Sequence, residues 1–338
     1  MNSFDHQSAA SSGEALALLA QAPRSARIIA GGTDLLTLMK AGLAAPDQLI
    51  DLKPARALRY LRFEADGALQ IGALATLADI ERSAEVAARL PILAQAVRDA
   101  ATPQLRAAAT VGGNLLQRPR CWYYRGQFDC WLKGGTECFA REGQNKYHAI
   151  FDQSPCVAVH PSDLAPALIA LDAQVVLERR TGTGTGTGTG TSTRIVAVAE
   201  FLRPPEDAER VEHRLAPDEL LTAIQVPAQP ADAAGVYLKA MDRRAWAFAL
   251  VGAACQIAQR AGHVDHVRLV LGGVANVPLR VGAAEELLVG QQLTPALAAT
   301  VAERFVAAAQ PLAHNGYKVA LARELARRAL LAAAGVAD

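Results

Sequence analysis

Three textures of hydrophobic patterning follow one another along this chain. In the first, short apolar runs alternate with helix-like stretches. Gly13 to Gln21 has helical composition and is expected to stop at Pro23. Ala26 to Ala30 reads as a short buried strand, Leu35 to Ala41 as a helix, and Leu49 to Leu52 as a second strand. After the turn at Asp66-Gly67, the alternation in Leu69 to Ala73 predicts a third strand. Thr76 can cap a helix from Leu77, and a further helix runs from about Ile92 to Ala100, before Pro103. This βα-rich order predicts an α+β or α/β core. Strands at Ala173 to Arg180, Ile195 to Ala199 and Glu219 to Val226 follow, with a boundary at Pro227 to Pro230. The last hundred residues differ. Gly235 to Met241, Ala249 to Gln259 and Val264 to Gly272 read as antiparallel strands, with a turn at Gly272-Gly273-Val274. Ala283 to Val289, Pro295 to Ala309 and Asn315 to Ala334 read as helices, the last with Arg323, Arg327 and Arg328 on a solvated face.

Length changes this picture by requiring two or three domains, since 338 residues exceed one small core. The formal net charge of +1 gives no general field for nucleic acid or an anionic membrane. No apolar run approaches the roughly 18 to 20 residues that span a bilayer. The start, Met1 to His6, lacks a basic segment followed by an apolar core, so no signal peptide is visible and folding in the cytoplasm is expected. Residues 181–193, a Thr-Gly repeat, are low-complexity and are expected to form a flexible hairpin or loop without chemistry.

Candidate chemistry sits in two glycine turns and a set of thiols. Gly31-Gly32-Thr33-Asp34 lies between a strand and a helix, the layout that aims backbone N–H groups at a phosphate. Thr33 or Asp34 can cap that helix, and Asp34, which would repel a pyrophosphate, is expected to turn inward to backbone donors. A Gly-Gly turn alone is weak evidence, because ordinary βα turns use it too. Thr102-Pro103-Gln104-Leu105-Arg106 leads to a second such turn, Thr110-Val111-Gly112-Gly113-Asn114. Its plain reading is a β-turn; the two turns together favour one shared ligand. Four of the five cysteines, Cys121, Cys130, Cys138 and Cys156, then follow with spacing C-x8-C-x7-C-x17-C, while Cys255 stands alone as core packing. The tight pairs of most zinc sites are absent. An iron–sulfur cluster, disulfides or free thiols, and zinc all stay open on spacing alone. Arg118, Arg120, Arg125, Lys133 and Arg141 lie among the cysteines, where cations can offset cluster charge. His148 and His160 read first as hydrogen-bonded structural groups, and Asp163 as a helix cap or a carboxylate aimed at a cofactor. Lys239, ahead of Arg243 and Arg244, is a cation that can face a cofactor.

Together these motifs resemble the FAD-binding (medium) subunit of the xanthine dehydrogenase/molybdenum hydroxylase family, over about residues 5 to 335. Ala30-Gly31-Gly32-Thr33-Asp34 is similar to the family's first flavin loop. Thr102 to Arg106 through Thr110-Val111-Gly112-Gly113-Asn114 is similar to the second, and Pro161-Ser162-Asp163-Leu164 and Lys239 to two later positions. Trp246, after Arg243-Arg244-Ala245, departs from the acidic or small residue of many relatives. The cysteine insertion is similar to that of the flavin subunits of periplasmic aldehyde oxidoreductases and of 4-hydroxybenzoyl-CoA reductase, with the Cys156 to Asp163 run favouring the former.

The resemblance implies an α+β fold. A PCMH-type FAD-binding domain of two subdomains is expected over 1–228, with a [4Fe–4S] insertion at about 117–157. A C-terminal α+β domain, a three-stranded antiparallel sheet with helices, is expected over 229–338. It implies FAD held by Ala30, Gly31, Gly32, Thr33, Asp34, Leu35, Thr102, Arg106, Thr110, Gly112, Gly113, Asn114, Asp163, Leu164 and Lys239, and a [4Fe–4S] cluster on Cys121, Cys130, Cys138 and Cys156. No residue here is expected to act as acid or base on substrate. The implied partners are a large molybdenum-cofactor subunit, a small [2Fe–2S] subunit and an external electron acceptor, in a heterotrimer that can be exported to the periplasm on a partner's signal. A reductive thioester-processing relative and a zinc-stabilised binding protein without redox chemistry are the competing readings.

Overall fold

The structure is a computed structural model describing residues 1–22, 25–182 and 190–338. The expected helix stop at Pro23 and residues 183–189 of the Thr-Gly tract lie outside these. Three short strands, β1 (Asp5–Ser8), β2 (Ala26–Ile29) and β3 (Gln48–Asp51), form a parallel sheet in the order β1-β3-β2. Parallel neighbours need crossovers, and helices Ser12–Gln21 and Leu35–Lys40 supply them. The first helix buries Ala15, Leu16 and Leu19 beneath the sheet. The first glycine turn follows directly on β2.

The second sheet is antiparallel. It comprises β4 (Leu61–Phe63), β5 (Leu69–Gly72), β6 (Gln174–Thr181), β7 (Gly190–Ala197) and β8 (Glu219–Val226), in the order β4-β5-β8-β6-β7. β8 inserts between β5 and β6, and so is buried along nearly its whole length. Helices Leu77–Arg82, Pro91–Arg98 and Leu164–Ala170 cover the sheet in one core with Ile71, Ile80, Leu93, Leu168, Val175 and Ile224. Thr76 caps the first of these in a reciprocal box, its hydroxyl accepting from Asp79 N while Asp79 accepts from Thr76 N. Thr76→Ala is expected to cost about 1 kcal/mol, read as a lower urea midpoint. Helix Pro103–Ala108, capped by Thr102, precedes the second glycine pair. That pair sits inside a helical turn, Val111–Leu115, capped by Thr110, and not in a β-turn.

The third sheet has one strand more than the three expected. β9 (Ala233–Ala240), β10 (Val251–Arg260), β11 (His263–Gly272) and β12 (Leu279–Arg280) run antiparallel in the order β12-β11-β10-β9. The two residues of β12 are too few to carry a periodic signal. Nearly all of β10 is buried, because both faces are covered. Ala254 joins the core under helix Leu164–Ala170, whereas Ala253, Cys255 and Ile257 join the core under helices Pro295–Val306 and Tyr317–Ala334. The expected helix Ala283–Val289 ends at Glu285, whose carboxylate turns to Arg280 and Leu269 N. Among the described residues no helix is long and apolar enough to cross a membrane.

Candidate functional site

The two glycine turns face one another. Ala30, Gly31, Gly32, Thr33, Asp34 and Leu35 line a cavity of about 740 Å³ together with Thr110, Gly112 and Gly113 from the second turn. On the other side of the first turn lies a second cavity of about 730 Å³, which shares Ala30, Gly31, Gly32 and Thr110 and adds Lys53, Arg56 and Arg59. A dinucleotide has two bulky ends and a small anionic middle, and two cavities flanking one glycine loop match that shape. Among the described residues no protein acceptor meets the amides of Gly31, Gly32, Thr33 and Asp34. Unpartnered amides lining a cavity are what a pyrophosphate requires.

The second pair works differently. Gly112 N donates to Ala73 O at 3.0 Å and Gly113 N to the Thr110 hydroxyl at 3.2 Å, so neither amide is spare. What these glycines supply is the absence of a side chain. A Cβ on Gly112 would press on Ala73 and Leu221. Closer still, a Cβ on Gly31 would fall 1.8 Å from Ala108 O, so the two loops lie backbone against backbone.

Asp34 does turn inward, as expected, but it leaves the helix uncapped. Its carboxylate accepts from Arg118 N at 2.8 Å and pairs with Arg120 and, at 2.8 Å, with Arg125. The residue after the first glycine loop therefore anchors the start of the cysteine segment. Arg118 itself pairs with buried Glu212 at 3.0 Å, and Arg141 with Asp152 at 2.7 Å. The arginines read as counter-charges for the thiols are mostly committed to carboxylates; Arg141 alone among them also draws the Cys138 thiol down.

Several expected flavin residues lie outside the cavity lining. Arg106 is buried and holds Glu81 at 2.7 Å and Ala100 O at 2.8 Å, bracing the helix before the second turn. Asn114 accepts from the Ser162 hydroxyl at 2.6 Å. Ser162, not Asp163, caps helix Leu164–Ala170 through Ala165 N at 3.0 Å. Asp163 is fully enclosed: Tyr237 donates its hydroxyl at 2.7 Å and Lys239 its ammonium at 2.9 Å. Burial pushes the Asp163 carboxyl up against the pull of Lys239. Leu164 is core. Arg243 closes on Trp246 O at 2.7 Å, supporting the left-handed φ of 53° at that residue. His213, which nothing in the sequence marked out, lines the cavity. It stacks on Phe201 with ring centroids 5.9 Å apart, and burial lowers it to about 4, so the ring is neutral.

The four cysteines, spread over residues 121–156, gather beside this cavity. Cys121, Cys130 and Cys156 share an apolar core with Leu38, Tyr124 and Trp131, and Cys121 and Cys138 adjoin Tyr123, Ala140 and Val157. Leu38 and Tyr124 also line the cavity, so the two features are contiguous. All four are free thiols. The Cys138 thiol is lowered to about 6, first by its interaction with Cys156. Burial pushes Cys121 up to about 11 and raises Cys130, and Cys156 lies well above the usual range. His148 Nε2 stands 3.2 Å from Cys121 Sγ. Among the described residues no three His, Cys, Asp or Glu side chains are set around a single ion. A cubane, unlike a single ion, spreads its four thiolates over four irons.

Comparison with known proteins completes the description of the site. The family described as the FAD binding domain in molybdopterin dehydrogenase matches residues 2–229, and the CO dehydrogenase flavoprotein C-terminal domain matches 236–333. The FAD-binding subunit of an aldehyde oxidoreductase from Escherichia coli strain K12 is 37% identical over 327 residues, 96% of each chain. A carbon monoxide dehydrogenase medium chain from Hydrogenophaga pseudoflava is 29% identical, over 98% of this chain and 96% of that one. A solved chain of the H. pseudoflava carbon monoxide dehydrogenase superposes with a TM-score of 0.76 at 28% identity, covering 98% and 97% of the two chains. One from Oligotropha carboxidovorans gives 0.77 at 26% identity, covering 99% of each.

Proposed function

The chain belongs to the FAD-binding medium-subunit family of the molybdenum hydroxylases, and from that premise we propose that it is the FAD- and [4Fe–4S]-carrying electron-transfer subunit of a heterotrimeric molybdenum-dependent aldehyde oxidoreductase. As a member it is an oxidoreductase subunit of mixed α/β fold. The aldehyde specificity rests on the E. coli relative. The observation that carries the electron-transfer reading is the Asp34 anchor. It fixes the start of the cysteine segment to the first glycine loop, and so would make one scaffold of the two proposed cofactor sites.

Bound FAD would supply the redox chemistry. The chain's own residues bind and orient it. The amides of Gly31 to Asp34 would take the pyrophosphate, and Gly112 and Gly113 keep the facing wall free of side chains. Tyr124, Leu38 and His213 line the cavity, with the histidine neutral. Cys121, Cys130, Cys138 and Cys156 would hold the cluster, whose irons offset thiolate charges that burial otherwise opposes. We take residues 1–228 as the flavin domain, with the cluster insertion at about 117–157, and 229–338 as the C-terminal domain. A large molybdenum-cofactor subunit and a small [2Fe–2S] subunit would deliver electrons, and an external acceptor would remove them. Export to the periplasm would ride on a signal-bearing partner.

The test is to purify the chain with whatever subunits accompany it and to measure flavin, iron, zinc and the visible spectrum. We expect about one FAD and about four irons per chain, with flavin bands and a broad iron–sulfur shoulder. A colourless preparation with zinc would remove both redox readings. Cys130→Ser is expected to lose iron while keeping most FAD; unchanged iron would take Cys130 out of the ligand set. Turnover with an aromatic aldehyde against a thioester distinguishes the oxidative from the reductive relative.

A further inference from the structure

We propose that His148 donates an Nε2–H hydrogen bond to the Cys121 sulfur and thereby raises the reduction potential of the iron–sulfur centre; this rests on reading the four cysteines as its ligands. The pair stands at 3.2 Å. A thiolate on iron carries no proton, so the only hydrogen bond the pair can then make runs from nitrogen to sulfur. That choice fixes the tautomer: the proton is on Nε2 and Nδ1 is bare. Nδ1 is buried and makes no well-formed hydrogen bond among the described residues, although the Asn145 main chain lies close enough to favour the protonated ring. A buried acceptor left unmet is costly, and the cost is explained if the ring is committed to the sulfur.

The ring and its main chain are held independently. Trp122 meets the ring edge-on at 5.6 Å, and Tyr123 lies against it at 6.2 Å. His148 O accepts from the Lys318 ammonium at 2.9 Å and from Asn315 Nδ2 at 3.2 Å. Asn315 also binds Ala149 O at 2.9 Å, and Lys318 binds Gly273 O at 2.5 Å. Lys318 is completely buried, its Nζ meets main-chain carbonyls and no carboxylate among the described residues, and burial lowers it to about 7. Burying an amine without a carboxylate partner is costly, so an apolar side chain would serve packing better. Placed at the start of helix Tyr317–Ala334, Lys318 instead clamps the Tyr147–His148 backbone to Gly273, just past the end of β11. The C-terminal domain thus sets where the imidazole points.

An N–H dipole aimed at a ligand sulfur stabilises the more negative, reduced cluster. Removing it should make the centre harder to reduce. The experiment uses the intact complex with His148→Phe, which keeps a ring against Trp122 without a donor, and His148→Gln, whose amide nitrogen can reach toward the same sulfur. Iron and acid-labile sulfide are counted, and the cluster is titrated with its paramagnetic signal followed. Both variants should keep wild-type iron. His148→Phe should weaken one-electron reduction about three- to tenfold, the worth of one hydrogen bond, and His148→Gln should recover at least part of that loss. An unchanged potential in an iron-replete His148→Phe complex would overturn the inference, as would iron loss from both variants, which would make the ring a ligand or a strut. Wild-type complex without iron would overturn the cluster reading first, so the two failures are distinguishable.

Discussion

Gly31→Ala is expected to give a protein that purifies without flavin. The added methyl would lie 1.8 Å from Ala108 O and 2.7 Å from its carbonyl carbon. Both atoms are main chain, so no rotamer change relieves the clash. Ala108 cannot retreat easily, because the next residues are tied down: Ala109 O accepts from Leu77 N and Val111 N donates to Ala75 O. One of the two loops must move, and the cavity between them opens or closes with it. Gly113→Ala makes the comparison. Its Cβ would meet only the Thr110 hydroxyl, at 3.0 Å, a side chain that can yield a little. Gly113→Ala should therefore keep most of its flavin at some cost to the Thr110 cap. The measurement is the flavin-to-protein ratio of each purified variant. A wild-type ratio in Gly31→Ala would mean that the loops are not locked together and that the flavin lies elsewhere.

The difference between these glycines bears on how much the chain disclosed in advance. Strand, glycine pair and helix are local, so the first loop could be read in place, and so could the Thr76 cap. The strand at β10 was also legible. Long-range pairing was not: β8 slots between β5 and β6 although about 150 residues separate it from β5. The second glycine pair looked like a β-turn, yet Thr110 stands three residues before Gly113, the spacing of a helix cap. Charge partners were hidden in the same way. Arg120 and Arg125 lie among the cysteines in sequence, but their carboxylate is Asp34, some 90 residues earlier. His148 reads as a hydrogen-bonded structural group, but its partners, and the burial of Lys318 on a helix that also carries a charged face, were beyond the reach of pattern reading.

The second large effect is expected at Asp163 and Lys239, where the flavin domain meets the C-terminal sheet. The ammonium of Lys239, on β9, reaches Asp163 at 2.9 Å and Asp99 O at 2.8 Å, while Tyr237 on the same strand donates to the other carboxylate oxygen. The Lys239 side chain has no exposure and that of Asp163 is 7% exposed, so water cannot substitute for either partner. Lys239→Met should cost about 3 to 5 kcal/mol, because it leaves a carboxylate buried without its cation. Adding Asp163→Asn should return most of that, since a neutral amide keeps the Tyr237 contact and needs no counter-charge. Urea unfolding of the single and double variants measures both. The pH dependence checks the cause. Burial already raises the folded-state pKa of Asp163, and losing Lys239 raises it further. A carboxyl whose folded pKa lies above its unfolded value costs stability at high pH and regains it as pH falls through the folded pKa. The Lys239→Met deficit should therefore shrink as pH falls through that raised pKa. A deficit flat with pH, unrepaired by Asp163→Asn, would assign the loss to the packing of the lysine stem; a repaired double variant without flavin would show that the pair also reaches the cofactor.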